Sequence, residues 1–244
     1  MLNSLEIAQQ ATPKPIVELA KTLGLLPEEL EPYGHFMGKI GLSTLKRLAG
    51  QPDGKLVVVT AITPTPLGEG KTTTSIGLVD GLNRIGVRAA VTLRQPSLGP
   101  VFGIKGGATG GGYAQLLPME QINLHLTGDF HAVGAAHNLA AAFLDNHLHF
   151  GNALGIDLNT IGWPRVVDMN DRALRSAVIG LGGAEGGVAR QTEWNITAAS
   201  EVMAILSMAK DLMDLRSRLG RIVMAQRASG GEVPGKVEVD VLHG

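Results

Sequence analysis

The stretch KLVVVTAITPTPLGEGKTTTSIGL, residues 55–78, decides the fold. Its opening run, KLVVVTAI, is β-branched and almost uninterrupted in its apolar character, with the length expected of a strand buried on both faces. TPLGEGKT, Thr65 to Thr72, follows and matches the phosphate-binding pattern G-x-x-x-x-G-K-[ST], except that Thr65 stands at the first glycine. The next residues place Ile76, Leu78, Val79, Leu82 and Ile85 on a helical period that Gly86 ends. A second apolar run, VRAAVTLRQ at 87–95, completes a strand–loop–helix–strand unit. Its two strands are expected to be parallel, with a right-handed crossover.

Upstream, SLEIAQQA, KPIVELAKTLGL and PEELEPYG read as short helices, so residues 1–50 form a helical segment expected to pack over a nucleotide-binding domain spanning 51–244. Downstream, GPVFGIKGGATGGGYAQLLP holds seven glycines in 20 residues, a density that marks a functional or disordered loop. INLHLT and RVVDM read as strands, while HAVGAAHNLAAAFLDNHL and DRALRSAVIGLGG read as helices. AASEVMAILSMAKDLMDLRSRLG reads as one long amphipathic helix. KVEVDVLHG alternates as a half-buried strand and stops at Gly244 without a covering element, so the chain is expected to end within a domain. The order implies an α/β fold: a P-loop NTPase-like, mostly parallel sheet with helices on both faces, preceded by the helical segment.

Composition narrows the function. Hydrophobic residues at 44% and charged residues at 18% fit a globular chain with much interior. A net charge of -1 and no basic block argue against a general nucleic-acid binder. Without cysteine there is no disulfide, thiolate nucleophile or thiolate metal site. The N-terminus lacks the pattern of a secretory signal, and no uncharged apolar run reaches the roughly 18 residues of a membrane span, so a cytoplasmic location is the expectation.

The candidate site starts at the loop formed by Thr65, Pro66, Leu67, Gly68, Glu69, Gly70, Lys71 and Thr72. In such a loop, backbone N–H groups and the following helix N-terminus cradle phosphates; Lys71 can reach the β- and γ-phosphates, and the Thr72 hydroxyl can ligate Mg²⁺. Arg94 falls at the C-terminal end of the second expected strand, where α/β sheets bind ligands, and its guanidinium suits a carboxylate or phosphate; position alone equally fits a surface arginine. Asp129, in LHLTGDFHA, either binds Mg²⁺ through water or orients a substrate amine, or else caps the next helix. In VVDMNDR, Asp168 ends an apolar strand as a Mg²⁺-associated aspartate would, and Asp171 is a natural helix-start residue. His147 and His149 are two apart, a spacing that does not share a helix face.

TPLGEGKTTTSIGL, LRQPSLGPVFGIKGGATGGGYAQLLPMEQINLHLTGDFHA, VVDMNDRALRSAVIGLGG and ITAASEVMAILSMAKDL together resemble formate-tetrahydrofolate ligase, in the N-terminal part of that family. Thr65 belongs to the family's own form of the loop. The resemblance implies that formate attacks the γ-phosphate of MgATP to give formyl phosphate and ADP, and that tetrahydrofolate then takes the formyl group. It implies that Lys71 holds the phosphates and Arg94 grips formate and formyl phosphate, with ATP, Mg²⁺, tetrahydrofolate and a monovalent cation as cofactors and co-substrates, and a homotetramer as the assembly. Gln95 departs from the glutamate of the family pattern and removes a negative charge beside the anion site. The family is also considerably longer, and with 4% aromatic residues this chain has few rings to sandwich adenine or pterin. A P-loop regulatory ATPase would keep the loop and helix but have no use for Arg94 or the glycine-rich stretch. A catalytically silent ATP-binding fragment is the third reading.

Overall fold

The structure, a computed structural model, describes residues 2–63, 65–66, 68–103 and 106–234. They fall into two compact units, divided between Asp129 and Phe130.

Local capping starts the first unit. Asn3 accepts the Glu6 N–H while Glu6 returns a bond to the Asn3 N–H, a capping box that opens α1 (Ser4–Gln10). Pro15 precedes α2 (Ile16–Thr22), and Gly24, with φ of 77°, closes it. The expected third helix, PEELEPYG, is instead one 3₁₀ turn (Pro27–Glu29) running into β1 (Leu30–Tyr33), which pairs antiparallel with β2 (Met37–Ile40). Pro32 cannot continue a helix, and Gly34 at φ of 70° permits the reversal. α3 (Ser43–Leu48) follows. Its Arg47 donates from Nε to Glu29 Oε1 at 2.5 Å and from Nη2 to Oε2 at 2.6 Å, a bidentate clamp on a glutamate only 3% exposed.

The Glu29 carboxyl is held at about 2, first by the Arg47 hydrogen bond and then by the Leu26 N–H. Because the folded value lies below the ordinary 4.5, its contribution to stability is complete above about pH 4.5 and is lost as pH falls towards 2. Thermal unfolding of the wild type should therefore weaken more steeply across that window than unfolding of Glu29→Gln; parallel curves would contradict the assignment.

α4 (Lys71–Arg84) forms where the helical period predicts it. The flanking runs at 55–62 and 87–95, expected as buried parallel strands, pair with no strand among the described residues. Leu56, Val57, Val58 and Ile62 are 86%, 66%, 73% and 106% exposed. β-branched composition favours extended backbone, but a strand exists only where neighbours take its hydrogen bonds. After the short α5 (Leu98–Val101), the glycine-rich stretch folds as a small hairpin, β3 (Gly110–Gly111) with β4 (Ala114–Gln115), lying on α4. INLHLT, residues 122–127, expected as a strand, has its first half in α6 (Met119–Leu124) and its second half in a turn: the helix closes when the Ile122 N–H bonds the Pro118 carbonyl. A short apolar run does not by itself distinguish the two periods.

α7 (Asp129–His149) leads into the second unit, whose core joins Val133, Leu144, Leu148, Trp163, Ile205 and Met224. β5 (Arg165–Val167) realises RVVDM. The helix expected at DRALRSAVIGLGG is a single 3₁₀ turn, its Ala173 N–H held by Asp171 Oδ1 at 2.9 Å, followed by β6 (Ala177–Ile179). β6 pairs antiparallel with β7 (Arg190–Thr192), because Val178 and Ile179 favour a pleated surface once a partner strand is present. β8 (Trp194–Ile196) pairs with β5, the one parallel pair among the described residues. The fold thus mixes helices with small two-stranded sheets.

The expected long helix is two, α8 (Glu201–Met208) and α9 (Leu212–Leu219). Ala209 is extended, and Asp211 recaps the chain by accepting the Asp214 N–H at 2.8 Å. β9 (Val223–Gln226) and β10 (Glu232–Pro234) close the described chain as an antiparallel pair. The strand expected at KVEVDVLHG lies outside the described residues.

Candidate functional site

The loop owes its shape to two glycines. Gly68 and Gly70 take φ of 89° and 75°, left-handed values that side-chain-bearing residues rarely adopt, and Gly70 is the residue from which α4 starts. A Cβ on either would meet nothing within 4 Å, so the backbone faces open space there. The Thr74 N–H bonds the Gly70 carbonyl at 2.9 Å, and Gly68 N–H closes a turn on the Thr65 carbonyl at 3.2 Å. No side-chain cap occupies the α4 N-terminus. Its unpaired N–H groups and positive dipole end suit an anion.

Lys71 opens α4 and forms an ion pair with Glu69, whose other oxygen accepts the Thr65 N–H. Pro66 lies within the loop turn, and Leu67 falls outside the described residues. Thr72 is half-buried, and its hydroxyl makes no hydrogen bond among the described residues. This donor set fits a magnesium nucleotide: a lysine already holding an anion, a free hydroxyl one residue later, and glycines that leave room for phosphate oxygens.

Arg94 is exposed and makes no ion pair among the described residues, whereas Pro96 and Ser97, just beyond it, are buried. Ser97, 2% exposed, stands at the start of α5. The glycine-rich stretch packs rather than floats. A Cβ at Gly110 would lie 2.2 Å from the Ala114 carbonyl and 2.8 Å from Ile76 Cδ1 of α4, and one at Gly107 would collide with the Asn123 side chain at 2.2 Å. Asn123 binds this stretch through the Ala108 N–H and the Thr109 hydroxyl, at 3.2 and 3.0 Å. Ser4 of α1 reaches it too, accepting the Gly112 N–H at 3.0 Å. Neither Asn123 nor Ser4 stood out in the sequence, because nothing local marks a side chain whose partner is over ten residues away.

Asp129 begins α7 and is held by the Thr127 hydroxyl and by Lys39 Nζ at 3.3 Å. Burial pushes its carboxyl up, but these two partners outweigh that and leave it below the ordinary value. His147 accepts the Leu154 N–H, a structural role. No group of three or more histidine or acidic residues arranged to hold a metal ion occurs among the described residues.

The second unit has its own polar centre. His137 stacks on Trp163 with ring centroids 4.1 Å apart. Its Nε2 lies 2.7 Å from the Pro164 carbonyl, so that nitrogen carries the proton, and Nδ1 accepts from Ser200 at 2.9 Å. Burial, the largest influence, holds this imidazole below its ordinary value. A separate cleft of about 280 Å³ is lined by Ile161, Pro164, Arg175, Arg190 and Glu193, with Arg190 engaged by Asp145.

Comparison with known proteins gives this geometry its class. The family model described as formate-tetrahydrofolate ligase matches residues 2–240. Proteins named formate-tetrahydrofolate ligase resemble the chain along nearly its whole length. That of Roseiflexus sp. (strain RS-1) is 61% identical over 233 residues, covering 96% of this chain and 41% of the relative. That of Granulibacter bethesdensis is 62% identical over 220 residues, 90% of this chain and 38% of the relative. That of Fervidobacterium nodosum is 60% identical over 230 residues, 94% of this chain and 42% of the relative. The class is thus a family of enzymes that join two substrates. The chain belongs to the formate-tetrahydrofolate ligase family and spans about two fifths of the length of the curated relatives it matches.

Proposed function

We propose that this chain carries the ATP- and formyl-phosphate-handling part of a formate-tetrahydrofolate ligase. The observation that supports it most is the left-handed Gly68 and Gly70 pair delivering Lys71 to an uncapped helix N-terminus, within a chain about 60% identical to named ligases. In this reading residues 1–50 pack as an appendage on a nucleotide-binding domain beginning at 51. The runs 55–62 and 87–95 are the parallel strands of its P-loop-like sheet once neighbours pair with them.

The chemistry follows from charge. Formate is an anion and must approach the γ-phosphate of another polyanion, so catalysis is chiefly positioning and neutralisation. Lys71 and the α4 N-terminus hold the β- and γ-phosphates, while Thr72 offers its hydroxyl to Mg²⁺, which when bound neutralises phosphate charge. Arg94 holds formate against the γ-phosphorus. A formate oxygen bonds to phosphorus as the bond to ADP breaks, giving formyl phosphate; N10 of tetrahydrofolate then attacks the formyl carbon and phosphate leaves. The packed glycine-rich stretch shields the mixed anhydride from water. Asp129 is a further, water-mediated candidate for Mg²⁺, and its carboxylate would first have to leave Lys39. A monovalent cation, a homotetrameric assembly and a cytoplasmic location complete the proposal. No helix among the described residues is long and apolar enough to cross a membrane.

The test is ADP formation from MgATP, with and without formate and tetrahydrofolate. Formate-dependent ADP release is the expected result. Hydrolysis indifferent to formate in every condition would favour a regulatory ATPase, and ATP binding without any turnover would mark a silent nucleotide-binding fragment.

A further inference from the structure

We infer that Glu69 is a built-in competitor for the phosphate groups of a nucleotide, holding Lys71 until a triphosphate displaces it. The inference rests on the nucleotide-binding reading above and adds to it a residue that sets the site's affinity. Glu69 sits between Gly68 and Gly70, whose left-handed backbones turn its side chain inward: it is 14% exposed, against 43% for Lys71. Its two carboxylate oxygens accept from the Thr65 N–H and from Lys71 Nζ. A backbone N–H at the head of the loop and the loop's lysine are the kinds of donor that such a loop presents to phosphate oxygens. A carboxylate, like a phosphoryl group, answers them with several anionic acceptors. The loop is therefore self-occupied, and any nucleotide competes with an internal anion for Lys71.

That competition is unequal. A triphosphate brings γ-oxygens to Lys71 that compensate for the broken Lys71–Glu69 pair. A diphosphate can use the glycine backbone and leave that pair intact, so it binds without the lysine. When the γ-phosphoryl group departs during turnover, Glu69 recovers Lys71 and product release is favoured.

Glu69→Gln and Glu69→Ala test this with two readouts. The first, without nucleotide, is the rate at which an amine-acylating reagent labels Lys71, located by peptide mass; it should rise several-fold in both variants. The second is the Kd for ATP and for ADP by calorimetry. ATP should tighten about 10-fold, because it no longer has to break the pair, and ADP by no more than that. An unchanged Kd for ATP in both variants would overturn the inference and leave the nucleotide reading standing. Faster labelling with no nucleotide binding by any form would overturn both.

Discussion

Lys71→Ala should weaken MgATP binding about 10- to 100-fold, the loss expected when one charge-assisted contact is removed. Lys71 is the first residue of α4 and the partner of Glu69, so its Nζ is the cation that the proposed function assigns to phosphate. The substitution also removes the cation that pairs with the Glu69 carboxylate, and both effects oppose binding of an anion. Lys71→Arg retains the charge but not the shape and should recover only part of the affinity. Calorimetric titration with MgATP measures this directly. Since the residue is 43% exposed and packs little, thermal stability should be unchanged, and a matching fall in melting temperature would instead point to misfolding.

Arg94→Ala should act on a different step. ATP affinity should change less than 3-fold, whereas formate-dependent ADP formation should fall about 100- to 1000-fold, the scale set by removing one preorganised donor from a developing anion. The guanidinium is exposed and pairs with no acid among the described residues, so its loss leaves no buried charge behind. The equivalent change in the full-length Roseiflexus relative gives the same measurement in a chain that includes the remaining three fifths. Equal losses of ATP affinity and formate-dependent turnover would place Arg94 on the nucleotide instead of on formate.

Several elements were legible because their causes lie within a few residues. The capping box of Asn3 and Glu6, the left-handed glycines before Lys71 and the period of Ile76, Leu78, Val79 and Leu82 are encoded locally, and α1 and α4 form accordingly. One misread segment depends on a distant partner: Val178 and Ile179 become strand because Arg190–Thr192 lies alongside. PEELEPYG is instead turned out of a helix locally, by Pro32 and Gly34. The break between α8 and α9 was readable in principle from Asp211, yet the apolar stripe running across it carries the helical period past the cap.

By itself, then, the sequence determined the glycine turn before Lys71, the helix that follows it and membership of the ligase family, since glycine freedom, capping and motif order need no distant contact. The tertiary structure alone decided that Ala177–Ile179 is a strand against Arg190–Thr192, that the glycine-rich stretch is packed on α4 under Asn123, and that Glu69 folds back onto Lys71. Strand pairing, close backbone approach and the partner of a buried charge are settled by groups brought together from separate parts of the chain.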